Sequence, residues 1–589
     1  MLIRRPFVLA GLLTFGLLML LVACDLSVQP NQPAANASAV APRRGTGTAD
    51  PNTTPSPTPI PPQPTSTAPQ GGTVAIRLAA PLGRLTPWDI KQRGEEQAIQ
   101  LLYNGLVRLD ARSQPEPDLA QRWDVAPNGG LITFTLRTGV FWHDDKPLTS
   151  DDVVWTLNSL RTITPTNALL FDLQSKIGEV RSPITNTVVI SLTAPYAPIL
   201  ADLAVPVLPR HLLQGQTPEQ VAALNFWLSP VGTGPFKLET RSEQATSFIR
   251  NPHYFRGNPN LERISLQFMP GDAQVQSSLA SGQLQVAEFP TRTGTLTLTG
   301  QLRTGGYAEN GSYWLAFNMR QGRLFADPTV REALAQAVDV PAVVQQAVGE
   351  QGVVLGSSVL PGTWADPGLA PRRGPGNQQQ VQAALTAQGW AVDPQSQVYT
   401  KNGTPLKAQI FVRADDPARV TAARAIAAAA KSYNMDLSVV AAPFTTTMAL
   451  KLAPPYDWDV LLGSWVNAPN TAGFPTNRFY DPDDAPLFSS DRIWKGDGDT
   501  RSGLRNIGGY SSPDYDAAAT KARTTYDPTA RAAAIKTTEQ IVVRDRPYLF
   551  LWANRIPMVM STRIKQLKGE VNLGTPNYLN TVEQWYVER

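Results

Sequence analysis

Three histidines, His143, His211 and His253, and a single cysteine, Cys24, are all the imidazole and thiol ligands in 589 residues. A zinc site built from His and Cys therefore lacks its raw material, and disulfide scaffolds and thiol catalysis fall with it. His143 sits in the run FWHDD, far from the other two histidines, and reads as a packed or surface residue. Asp491, Asp497 and Asp499 cluster in the loop DRIWKGDGD but miss the fixed positions of a calcium loop. No P-loop, HExxH pair, G-x-S-x-G elbow or G-x-G-x-x-G turn occurs. Asp151 and Asp152 are adjacent at a helix start, where carboxylates serve capping and the helix dipole. Two carboxylates could still converge in three dimensions as glycosidases need, so a secreted hydrolase stays as a distant third reading. No catalytic residue, metal or cofactor is expected. Lys and Arg total 52 against 48 Asp and Glu, a net charge of +4 that is too even for a nucleic-acid surface.

The elements that must position any site begin after an unusual N-terminus. Arg4 and Arg5 precede an apolar run from Phe7 to Val22, short of the ~20 residues a membrane-spanning helix needs and suited to a secretory signal. It ends Leu21-Val22-Ala23-Cys24, which resembles the lipobox of bacterial lipoproteins. The resemblance implies cleavage after residue 23 and lipidation of Cys24, anchoring the protein to the outer face of the cytoplasmic membrane or within the periplasmic space. Arg4-Arg5-Pro6-Phe7 leaves Sec and twin-arginine export both open. From Asp25 to Gln70, Pro, Thr, Ser, Asn, Gln and Ala dominate without periodicity, the composition of a tether that cannot bury a core.

A folded body is expected from Gly71 onward, with 42% hydrophobic residues overall and two or three domains. Thr73 to Leu78 alternates as a half-buried strand, and Ile132, Phe134 and Leu136 repeat the period of two, as do Ile264, Leu266 and Phe268. Thr149-Ser150-Asp151-Asp152 predicts a capping box, and Asp327-Pro328 a second helix start. Ala408 to Arg413, Pro417 to Tyr433 and Leu437 to Ala441 predict one βαβ unit with a parallel strand pair.

The runs LLYNGLVRLD (101–110), PDLAQRWDVAPNGGLITFTLRTGVFWHDDKPLTSDDVVWTL (117–157), SPVGTGPFKLE (229–239), RNPHYFRGNPNLERISLQF (250–268) and YWLAFNMRQGRLFADPTVREALAQAVD (313–339) occur in one order. Together they resemble the family 5 solute-binding proteins of ABC importers, which include oligopeptide-, dipeptide- and nickel-binding proteins. The likeness extends weakly through YDWDVLLGSWVNAPN (456–470) and GGYSSPDYDAAATKA (508–522) to the C-terminus.

The resemblance implies an α/β fold of the periplasmic-binding-protein type II, with two lobes joined by two hinge segments and an extra subdomain in the first lobe. By correspondence, residues 1–23 are signal peptide, 24–70 tether, 71–110 with 206–314 and 541–589 lobe I, 111–205 the extra subdomain, and 315–540 lobe II. The crossings would fall around Tyr313 to Asn318 and Tyr548 to Asn554.

Peptide-binding relatives clamp the ligand's amino group with an aspartate soon after a Gly/Ser-Trp pair. Here that pair is Ser464-Trp465 and the position of the aspartate is Ala468. Asn467 and Asn470 could accept a hydrogen bond instead, though an amide holds an ammonium less strongly than a carboxylate does. Trp465 is the leading ligand contact, with core packing as its duller role; Tyr313 and Trp314 follow, of which strand alternation points only one into a cleft. Arg93 and Glu95, expected in the loop after the first strand, match a region that touches ligand in relatives, with a solvated surface pair as the alternative.

The expected function is an extracytoplasmic solute-binding lipoprotein, monomeric and not an enzyme, that captures a peptide or peptide-sized solute and delivers it to an ABC permease and its ATPase. A non-peptide solute (sugar, opine, metal chelate) or a sensor or chaperone role on the same fold is the alternative.

Overall fold

The computed structural model describes residues 68–164, 168–290, 296–466, 481–496, 499 and 505–588. Its spine is a twelve-stranded sheet. From one edge its strands run Asp436–Ala442, Lys407–Arg413, Val460–Val466, Gly311–Phe317, Tyr548–Ser561, Val286–Glu288, Thr73–Leu78, Arg263–Phe268, Ala245–Arg250 and Phe236–Arg241. Leu302–Ala308 and Gly352–Val354 add to the same sheet by pairing with Tyr548–Ser561.

Period-two patterning shows directly in this spine. Thr73–Leu78 pairs in parallel with Arg263–Phe268, Val74 opposite Ile264 and Ile76 opposite Leu266, all four fully buried. Lys407–Arg413 and Asp436–Ala442 pair in parallel across the Pro417–Lys431 helix, the expected βαβ unit. The Asp416 carboxylate caps that helix by accepting from the Arg419 N–H, and Pro417 fills its first turn, where no N–H is needed.

Tyr548–Ser561 decides the architecture. Its 14 residues span both halves of the sheet: Tyr548 to Trp552 pair with Gly311–Phe317, and Arg555 to Ser561 pair with Leu302–Ala308 and Val286–Glu288. The consecutive strands Leu302–Ala308 and Gly311–Phe317 run antiparallel beside it. Two segments therefore carry the chain between halves, and the halves are packed around separate cores. One core gathers Val74, Ile76, Leu102, Phe236, Ile264 and Trp585; on the other half, two cores flank the sheet, one around Leu315, Leu334, Ile410 and Ile426, the other around Trp314, Tyr456, Trp458 and Phe488. This is the two-lobe fold.

A separate four-stranded antiparallel sheet, ordered Ala120–Val125, Leu131–Leu136, Thr187–Leu192, Ile177–Arg181, buries Ile132, Phe134 and Ile190 in the first core. Beside it the Ser150–Leu160 helix opens on Thr149, whose N–H donates to the Asp152 carboxylate at 2.8 Å. His143 packs here: its Nδ1 accepts from the Gly232 N–H at 3.2 Å, so Nε2 carries the proton and donates to the Gly234 carbonyl at 3.1 Å. Burial, together with the neighbouring Lys237, pulls its pKa down to about 4.

Candidate binding site at the lobe junction

Side chains on adjacent strand positions point to opposite faces, and the junction strands use this to build two different surfaces. In Gly311–Phe317 and Val460–Val466, Tyr313 lies opposite Ser464, Trp314 opposite Gly463 and Ser312 opposite Trp465. Leu315, Phe317 and Leu462 enter the core under the Pro417–Lys431 helix, and Tyr313 packs against it. Trp314, Ala316, Leu461 and Trp465 enter the other core with Tyr548 and Phe550.

On the second face, Trp314 stacks on Tyr548 with ring centroids 4.5 Å apart and meets Trp465 at 5.5 Å, tilted by 38°. Trp465 is 9% exposed and Trp314 1%. Gly463 makes room for this cluster, since a Cβ there would lie 2.5 Å from the Trp314 ring. Burial raises the Tyr548 phenol above its ordinary range, and its hydroxyl interacts with Trp465.

On the first face, Tyr313 stacks on Trp552 at 4.4 Å and 8°, and the Arg419 guanidinium lies 4.9 Å above the Tyr313 ring. Arg419 also donates to the Ser464 hydroxyl at 3.0 Å and pairs with Asp416 at 2.7 Å. Asn554 donates to both the Tyr313 hydroxyl (3.1 Å) and the Glu309 carboxylate (2.9 Å). Burial raises the Glu309 pKa, and the Asn554 bond holds it back. Aromatic faces, amide and carboxylate thus meet where the chain crosses between lobes.

The expected site residues are therefore split. Trp314 and Trp465 share one face and Tyr313 and Ser464 the other, so no single surface holds all four. Asn467, Asn470 and Ala468 fall outside the described residues, as does Cys24. Where the chain resumes it is firmly tied: Asp481 pairs with Arg531 at 2.7 Å, Asp483 with Arg523 at 2.9 Å, and Asp484 accepts from the Tyr515 hydroxyl.

Arg93 and Glu95 require correction. They lie in the first turn of the Arg93–Leu102 helix, not in a loop, and they do not form a solvated pair. Glu95 is 3% exposed and accepts from the N–H groups of Gly83 and Lys91, closing the preceding loop onto the helix. Arg93 pairs with Glu96 at 2.8 Å and with the buried Glu288 at 3.1 Å, where Gln97 and Tyr307 also donate. Both side chains are engaged inside one lobe, as charged groups taken out of water need partners to offset the lost hydration.

Arg419, Trp552, Asn554 and Glu309 were missed from sequence. Trp552 and Asn554 lie within a segment read as a crossing, which signals the strand but not which of its side chains meet Tyr313. Arg419 carries no local signal, since its position follows only from helix packing. Among the described residues no three His, Cys, Asp or Glu side chains converge as a metal site, and no helix is long and apolar enough to cross a membrane.

A two-lobed α/β protein with an aromatic cluster at its double crossing is a binding-protein architecture. The family described as bacterial extracellular solute-binding proteins, family 5, middle region, matches residues 114–486, and the chain belongs to that family. It is 26% identical over 482 residues to Protein XP55 of Streptomyces lividans, covering 81% of this chain and 83% of that protein. It is 28% identical over 292 residues to the dipeptide-binding protein of Escherichia coli K12, covering 45% of this chain and 53% of the relative, so it spans about half of that relative's length. In fold it is similar to NikZ from Campylobacter jejuni, whose crystal structure is a complex with Ni(L-His): TM-score 0.61 at 22% identity, covering 87% of this chain and 99% of that one.

Proposed function

We propose that this protein is the solute receptor of an ABC importer, anchored outside the cytoplasm through lipidated Cys24, which captures a peptide or peptide-sized solute between its lobes and hands it to the permease. The observation that carries the reading is the family 5 match over residues 114–486 on a two-lobed fold whose crossing strands gather Trp314, Trp465 and Tyr548, Trp465 at the edge of that packed cluster. Flat aromatic faces suit peptide groups and sugar rings alike. Residues 71–110, 206–314 and 541–589 serve as one lobe, 111–205 as its extra subdomain, and 315–540 as the second lobe. A solute touching both lobes favours the closed form by its differential affinity, and the permease reads that shape. The receptor acts as a monomer and performs no chemistry on its cargo.

A second reading, a non-peptide solute such as a chelate or sugar, is favoured by Ala468, which stands where peptide-binding relatives carry the amino-clamping aspartate. A thermal-unfolding screen separates the two. Stabilisation by di- to nonapeptides, rising as RT ln(1 + [L]/Kd), supports the peptide reading; stabilisation by chelates or sugars alone replaces it with the second.

A further inference from the structure

The two lobes also touch outside the crossing strands. The turn Asn128-Gly129-Gly130 joins two strands of the four-stranded sheet, and Pro195-Tyr196-Ala197 follows a third. Facing them is the corner between the Pro513–Thr524 and Pro528–Asp545 helices of the other lobe. The Tyr526 hydroxyl, at this corner, donates to the Gly129 carbonyl at 2.9 Å and accepts from the Tyr196 N–H at 3.0 Å. The Ala197 N–H donates to the Arg523 carbonyl at 2.6 Å. Close by, the Trp364 N–H donates to the Arg112 carbonyl at 2.9 Å, and the Arg112 guanidinium returns a bond to the Thr363 carbonyl at 2.9 Å. Trp364 packs with Ala522 and Ile535 from the same helix pair, so these bonds form one patch.

Shape and charge at the patch agree with a built contact. Gly129 has φ +68°, which favours glycine, and a Cβ on it would lie 3.0 Å from Pro195 and 3.2 Å from the Tyr526 ring, so a larger residue would press on the seated corner. Arg523 lies 5.4 Å over the Tyr196 ring from one lobe, Lys176 5.0 Å over it from the other. Asp483 holds the Arg523 side chain in place at 2.9 Å.

We propose that Tyr526, seated on the Gly129 turn and on Tyr196, is the centre of a latch that holds the two lobes against each other without any solute. The latch populates the closed form in advance, so a solute meets a receptor that has already met part of the cost of closing. It depends on the two-lobe fold alone, and its failure would leave the solute-binding reading intact.

The test is a distance measurement in the full chain. With Cys24→Ser, spin labels go on Ile184→Cys and Leu450→Cys, which are 68% and 70% exposed on the two lobes. The protein is unfolded in guanidinium, washed and refolded to strip small molecules. The parent should show a dominant short distance. Tyr526→Phe, which keeps the ring and loses both hydroxyl bonds, should raise the ratio of long to short distances about tenfold. Arg112→Ala, which removes one bond from the far end of the patch, should shift it the same way and serves if Tyr526→Phe fails to fold. A parent with no dominant short distance, or a variant that folds with an unchanged distribution, would overturn the latch.

Discussion

Gly463 and Trp314 constrain each other at the crossing. Adding a methyl group in Gly463→Ala puts a carbon 2.5 Å from the Trp314 ring, so the indole must leave its stack on Tyr548 or the strands must part. Overpacking of this kind costs about 1–3 kcal/mol, and urea unfolding should show it as a lower midpoint with an unchanged slope. His143 makes a second residue-level case. Its half-buried ring stays neutral, with one nitrogen accepting and one donating to backbone, and its folded pKa of about 4 lies below the ordinary histidine value of 6.5. The unfolded chain therefore binds the proton more readily, and stability from this residue is present above pH 6.5 and is lost as pH falls towards about 4. The expected loss is about 3 kcal/mol across that window. Urea unfolding of the parent and of His143→Gln at several pH values checks it: the variant should lack this fall, and parallel pH profiles would contradict the assignment.

Within the crossing strands, Asn554 is the connector. It ties the Tyr548–Ser561 strand to Tyr313 and Glu309 on the preceding pair, and Asn554→Ala would strip a half-buried carboxylate of its bonded amide. The expected cost is about 1–3 kcal/mol. Calorimetry should also find that the loss shrinks at low pH, because protonated Glu309 no longer needs the donor. Strand periodicity made such elements legible: Thr73–Leu78, Leu131–Leu136, Arg263–Phe268 and the βαβ unit all follow from alternation and from Asp-Pro helix starts. The site was less legible. Sequence ranks Trp465 and Ser464 as neighbours, yet pleating sends them to opposite faces, Trp465 into a core and Ser464 to Arg419. Arg93 and Glu95 looked like free charges because their partners, Glu288 at one and the Gly83 and Lys91 N–H groups at the other, are supplied by folding.

For the molecule as a whole, one continuous sheet passes from lobe to lobe on two antiparallel crossings, the lobes packed around separate cores. Such a construction lets the lobes turn about a few strand residues while the cores of each lobe stay packed, which is how hinge closure is achieved. The crossing is also where Trp314, Trp465, Tyr548, Tyr313 and Trp552 concentrate, so a bound solute there would report directly on the angle between lobes. Native mass spectrometry of the purified full chain, before and after mild denaturation and with an added mixture of short peptides, tests this most directly. A non-covalent adduct of one solute per chain, lost on denaturation and regained from the peptide mixture, is the expected result. A bare chain mass that peptides, chelates and sugars all leave unchanged would contradict a solute receptor.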